Sequence, residues 1–321
     1  MSALNVYLFG TFKIQHQQED LHTVQVGRAR ELLCYLLLHR NRPISRELLA
    51  TVFWPDCTTA QSRKYLRQTL WLLQQSLPSS CTLGSSRVLL SDSESVQVNA
   101  GTDIWLDIAE LENAFAPVRL LAGEEMDRAG ANALRSAVSL YSGDLLEGWY
   151  QDWCLYERER LQNMYLTALE KLMSYCEFHH DFEGGLNHGE LILRQDRARE
   201  RTHANLMRLR YLMGDRAGAV RQFQRCVRAL KQELDVTPAK RTVELYEQIC
   251  ADRLEISLPP SVVPSGTSSL SLVVRHLERI RSLLLELRQC VQQDLDVVNQ
   301  ALSVPAASDS STDSPPHRHI P

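Results

Sequence analysis

Two kinds of apolar pattern divide the chain. Residues 4–9 (Leu-Asn-Val-Tyr-Leu-Phe) and 11–14 (Thr-Phe-Lys-Ile) are rich in β-branched and aromatic side chains on either side of Gly10, which predicts short strands. Residues 21–26 extend that reading to a third strand. From residue 28 the period changes. Ala29, Leu32, Leu33, Leu36 and Leu37 recur at helical spacing over 28–40, and Arg42-Pro43 stops the helix. Ser45 is placed to cap a second helix, with Ile44 and Leu49 set for a hydrophobic staple; it runs to about Phe53, before Trp54-Pro55. A third helix starts near Thr58, which has capping-box spacing to Gln61. Its apolar stripe is Leu66, Leu70, Leu73 and Leu77, and Pro78 ends it. Val88-Leu89-Leu90 and Val96-Gln97-Val98, among Ser/Gly turn residues over 81–103, predict a β-hairpin. Strands, three short helices and a closing hairpin are the parts of a winged helix-turn-helix.

Residues 104–256 are helical in pattern almost throughout, and they repeat. A shift of 34 aligns Leu172 with Leu206, Asp181 with Asp215, Gly185 with Ala219, Leu186 with Val220, Ile192 with Cys226 and Leu193 with Val227. That period, with a small residue in the second helix and a turn at Met213-Gly214-Asp215, is the tetratricopeptide signature. A Ser/Pro-rich linker over 257–269 leads to a heptad pattern over 270–302. There Leu270, Leu277, Leu284, Val291 and Val298 fall seven apart, and Val273, Ile280 and Leu287 fill a second seam that Asp294 breaks. Two readings fit this segment equally: a coiled coil, or a helix lying on the repeat domain. Residues 303–321 read as a disordered tail. The expected fold is mainly α: a winged helix-turn-helix over 1–103, an all-α tetratricopeptide-like domain over 104–256 and a C-terminal heptad helix.

Charge sharpens this picture locally. The formal net charge is −4, yet residues 1–102 carry +3, so the rest carries −7 and a polyanion would dock on the first part. From Thr58 to Leu77 the third helix holds Arg63, Lys64 and Arg67 and no acid. Opposite its leucines lie Gln61, Lys64, Arg67, Gln68, Trp71 and Gln75. Arg and Lys neutralise phosphate or donate to guanine, and Gln pairs with adenine edges. We therefore expect Lys64, Arg67 and Gln68 to meet bases or nearby phosphates. Arg63 lies nearer the buried stripe, for a phosphate or a neighbouring element, and Arg87 in the hairpin would reach the minor groove or backbone. Trp54 reads as core; Trp71 fits a partly covered surface and a DNA-side contact equally. An ordinary solvated helix face mixes charge signs, and this one does not.

Other chemistry finds little support. The chain has no G-x-x-x-x-G-K-[ST], G-x-G-x-x-G or G-x-S-x-G, so neither catalysis nor a cofactor is expected. The eight cysteines are scattered without a C-x-x-C, as in a reducing cytoplasm, and no clustered ligands point to a metal. No run approaches the roughly 18 apolar residues of a membrane span, and residues 1–10 lack the charged and apolar regions of a signal peptide, so none is expected.

The assembled residues resemble the SARP-type family of bacterial transcriptional activators, over about residues 3–255. In the first domain the likeness rests on "LNVYLFGTFKI", "GRARELLCYLLLHRNRPISRELLATVFWP" and "SRKYLRQTLWLLQQSL". In the second it rests on "LYSGDLLEGWYQDWCLYERERLQNMYLTALEKL" and "RERTHANLMRLRYLMGDRAGAVRQFQRCVRALKQELDVTPAKRTVELYEQI". The resemblance implies a winged helix that binds repeated promoter elements and an activator domain that self-associates and engages RNA polymerase. It places the reading helix on Arg63–Gln75 and the wing on residues 81–100. Two features depart from the family: Arg197 follows Asp196 where proline is favoured, and Gly184-Gly185-Leu186 replaces an alanine-containing run, which is expected to soften that helix. The competing reading is a protein-interaction adaptor, in which the winged helix docks a protein instead of DNA.

Overall fold

The structure is a computed structural model that describes residues 4–17, 19–21, 27–77 and 87–254. The linker, the heptad segment and the tail expected beyond the second domain lie outside the described residues. So does most of the third strand expected at 21–26. A two-residue strand lies just before it, at Glu19–Asp20.

The N-terminal part begins with β1 (Leu4–Tyr7), β2 (Lys13–His16) and β3 (Glu19–Asp20). It continues through α1 (Arg28–Leu38), β4 (Ile44–Ser45), α2 (Arg46–Phe53) and α3 (Thr59–Ser76), and closes with β5 (Leu89–Ser91), β6 (Ser95–Val98) and β7 (Ile104–Leu106). One sheet has the order β3-β2-β1-β7, and a second has the order β4-β6-β5. Strand β7 pairs parallel with β1 in register Leu4↔Ile104, so the first sheet takes in residues beyond 103. Leu4, Val6, Leu8 and Ile14 alternate into the core, as the period of a half-buried sheet requires.

The helical part comprises α4 (Asp107–Phe115), α5 (Arg128–Val138), α6 (Asp152–Phe178), α7 (Phe182–Gln195), α8 (Glu200–Leu212), α9 (Arg216–Glu233) and α10 (Lys240–Cys250). The 34-residue repeat is visible atom by atom. Asp181 caps α7 by accepting from the Gly184 N–H at 3.1 Å, and Asp215 caps α9 by accepting from the Gly218 N–H at 2.7 Å. Helix α7 runs unbroken from Phe182 to Gln195 through the Gly184-Gly185 pair. Packing gives Gly185 a role: a Cβ there would lie 3.0 Å from Leu209 Cδ1 and 3.6 Å from Cys176 Cβ, so the missing side chain admits its neighbours. Beyond the repeats, Phe223 stacks on Tyr246 of α10 with centroids 4.1 Å apart.

The two parts share one continuous core rather than a free hinge. The chain at residues 8–10 docks on the loop before α6: Phe9 bridges Leu145, the Leu146 N–H donates to Leu8 O at 2.9 Å, and the Gly10 N–H donates to Asp144 O at 2.8 Å. Arg158 of α6 gathers the carbonyls of Leu145, Leu146 and Trp149, each at 2.9 Å, which satisfies a turn that would otherwise bury bare acceptors. Asp107 sits under the same junction and accepts from the N–H groups of Leu8 at 2.7 Å and Phe9 at 2.8 Å. Tyr35 of α1 meets Phe53 of α2 and Trp153 of α6 edge-on, at 5.6 Å and 5.4 Å. Glu112 of α4 links Arg40 and Arg160 at 2.6 Å and 2.7 Å. The helix pair α2–α3 is thereby held on a rigid base.

Candidate nucleic-acid interface

Helix α3 is built as its sequence predicts. Thr58 and Gln61 form a complete capping box, and Leu66, Leu70, Leu73 and Leu77 are all buried. Each such leucine contributes about 1.5–3 kcal/mol of burial, which fixes the rotation of the helix about its axis. That rotation leaves Gln61, Lys64, Arg67, Gln68, Trp71 and Gln75 exposed. Trp71 is 60% exposed, on the same face as Lys64, Arg67 and Gln68, which fits both readings of it. Trp54 packs against the core as expected.

The remaining cations are arranged less simply. Arg63 turns back to α2 and pairs with Glu47 at 3.0 Å, which leaves Lys64 and Arg67 as the cations of the open face. Arg87 is exposed at the start of the hairpin, with its guanidinium 3.5 Å from Gln74 Oε1 of α3. It therefore flanks the helix and does not mark the hairpin tip.

The tip is acidic, which the sequence analysis did not draw out. Asp92 closes the turn by accepting from the N–H groups of Glu94 at 2.7 Å and Ser95 at 2.6 Å, and these bonds hold its carboxyl below the usual carboxylate range. Arg46, at the start of α2, donates to Asp92 O at 2.6 Å and fastens the turn to the helix pair. Ser45 caps α2 by accepting from the Leu48 N–H at 3.1 Å, while strand β4 pairs with β6 through Ile44↔Val96. Wing, α2 and α3 thus form one connected unit. Its α3 face can present two cations, three glutamines and an exposed indole to a groove.

Among the described residues no group of three His, Cys, Asp or Glu is placed to hold a metal ion, and no helix is long and apolar enough to cross a membrane.

Residues 106–250 match the bacterial transcriptional activator domain, which begins at the last residue of β7 and ends with α10. This is a family of transcription regulators and not an enzyme class. No curated protein sequence matches the chain. Among solved structures, the chain is similar to Mycobacterium tuberculosis EmbR, determined in complex with a low-affinity phosphopeptide. The TM-score is 0.59 with 16% identity, over 79% of this chain and 66% of that one. At that identity the likeness is one of fold, and the chain spans just under two thirds of the EmbR structure.

Proposed function

Because the chain carries the bacterial transcriptional activator domain and the architecture of the SARP-type regulators, we propose that it is a sequence-specific DNA-binding regulator that activates transcription. In this reading α3 enters the major groove of double-stranded DNA. Lys64, Arg67 and Gln68 meet base edges and adjacent phosphates, and Trp71 packs on the backbone. Arg87 touches a flanking phosphate. Arg63, already neutralised by Glu47, has a lesser share. The observation that carries the reading is the acid-free open face of α3, set by buried leucines on the opposite side and braced by α2 and the wing. The activator domain would contact RNA polymerase, and the protein would act in the cytoplasm as a homo-oligomer on repeated sites.

Selection of bound sequences from a random duplex library, with wild type and Arg67→Ala side by side, tests this. A repeated motif enriched by wild type and lost by Arg67→Ala supports it, as does affinity that falls steeply with salt. A folded wild type that enriches nothing moves the adaptor reading ahead.

A further inference from the structure

Residues of α7, α8 and α9 line a solvent-open cavity of ≈ 530 Å³. Arg194 of α7, Arg197 of the α7–α8 turn, and Arg225 and Arg228 of α9 line it, against Glu190 and Glu233. This cluster of cations lies in the part of the chain whose net charge is negative.

One of the two acids is already spent. Glu190 receives both arms of Arg225, at 2.8 Å and 3.0 Å, with Arg210 at 3.6 Å, and these donors hold its carboxyl below the usual range. Arg194, Arg197 and Arg228 have no carboxylate partner among the described residues. The floor is built. Buried His203 accepts at Nδ1 from Gln222 Nε2 at 2.9 Å and donates from Nε2 to Arg197 O at 2.9 Å, so a neutral imidazole fixes the backbone that presents Arg197. Arg194 and Arg228 lie 34 residues apart, the same position of successive repeats, which sets them side by side along the stack. A cation in the last turn suits the dipole of α7, and that accounts for Arg194 in part; Arg228 lies within α9 and has no such account.

We propose that this cavity binds a small phosphorylated molecule carrying two or more anionic groups. Guanidinium forks match phosphate oxygens in pairs, and three of them without carboxylates leave charge for a ligand to neutralise. No aromatic ring other than the satisfied His203 lines the cavity, so the phosphates and not a stacked base carry recognition. The site is independent of DNA binding.

Titration calorimetry on the full chain at ~0.15 M salt, where exposed long-range charge is largely screened, tests the proposal with inorganic tripolyphosphate and with ATP as probes. The comparison set is wild type, the Arg194→Gln/Arg228→Gln double variant and Arg67→Gln. Both cavity arginines are exposed, so the double variant is expected to fold, which circular dichroism verifies. The expected result is one-to-one binding, weakened at least about tenfold in the double variant and unchanged in Arg67→Gln. Tripolyphosphate binding at least as tightly as ATP supports recognition through the phosphate chain; ATP binding much more tightly than tripolyphosphate would overturn it, because the nucleoside would then carry the affinity. Absence of binding by either probe overturns it. So does binding that the double variant keeps and Arg67→Gln loses, because the anion would then sit on α3.

Discussion

His180 and Gly214, one repeat apart, adopt the same left-handed turn, with φ of 58° and 81°. The hydrogen bonds around them match too. The Asp181 N–H donates to Cys176 O at 2.8 Å, and the Asp215 N–H donates to Arg210 O at 2.9 Å. One repeat meets this geometry with glycine and the other with a side chain that left-handed backbone disfavours by roughly 1–2 kcal/mol. His180→Gly is therefore expected to raise stability by about 0.5–1 kcal/mol, and Gly214→Ala to lower it by a similar amount. Urea denaturation of both variants checks this, and a loss of stability in His180→Gly would refute it.

Close approach of α7 to α8 makes a second, opposite prediction about glycine. Gly189 is buried, and a Cβ there would meet Leu206 Cδ2, would lie 2.9 Å from Leu206 Cγ and would come to 3.2 Å from Met173 Sδ. Alanine normally gains about 1 kcal/mol over glycine inside a helix. Here Leu206 must leave its packed position, at a cost of about 1–3 kcal/mol. Gly189→Ala is expected to be destabilising, and a thermal midpoint at or above wild type would show that α8 yields more easily than its packing implies.

Much of this was legible in the sequence wherever a short-range rule governs. The leucine stripe of α3, the Thr58–Gln61 box and the Ser45 cap of α2 each depend on residues within a few turns of one another. Contacts between segments distant in sequence were not legible. No periodicity indicates that Leu8 and Phe9 meet Asp107, or that Arg40 meets Glu112. The "LYSGDLLEGW" stretch supported a resemblance, but its physical task is seen only in the fold: it is the loop on which residues 8–10 dock. The candidate site divides the same way. Exposure of Lys64, Arg67, Gln68 and Trp71 follows from the stripe, whereas the capture of Arg63 by Glu47 joins two helices and needs coordinates.

Asp107 gives the junction a pH signature. Burial pushes its carboxyl up to about 6, and the N–H groups of Phe9, Leu8 and Ile108 only partly oppose this. An acid raised in the folded state stabilises the fold below its unfolded value near 4, and that contribution is lost as pH climbs through about 6. The whole effect is about 3 kcal/mol at about 1.4 kcal/mol per tenfold change in acidity. His39, His188 and His203 are lowered by burial and act in the opposite sense, so wild type alone would blur the signal. The stability difference between wild type and Asp107→Asn cancels them. It is expected to shift toward wild type as pH falls from about 7 to about 4. A difference that stays flat over that range would mean the carboxyl titrates normally.

The Glu47–Arg63 pair makes the most discriminating prediction for the interface. Both partners are exposed, so the pair itself contributes little to stability, at most about 1 kcal/mol. Its consequence for a polyanion is larger, because Glu47 both occupies Arg63 and places a negative charge at the edge of α3. Glu47→Ala is therefore expected to leave the fold intact and to tighten DNA binding several-fold at low salt. The salt dependence should steepen by about one phosphate contact as Arg63 becomes available. Arg63→Ala should weaken binding less than Arg67→Ala, which removes a cation already free and is expected to cost about 1–3 kcal/mol if it reads a base. Fluorescence anisotropy with a duplex carrying the selected motif, across a salt series, measures all three variants. Unchanged affinity in Glu47→Ala, together with equal losses in the two arginine variants, would place the DNA on another face of the domain.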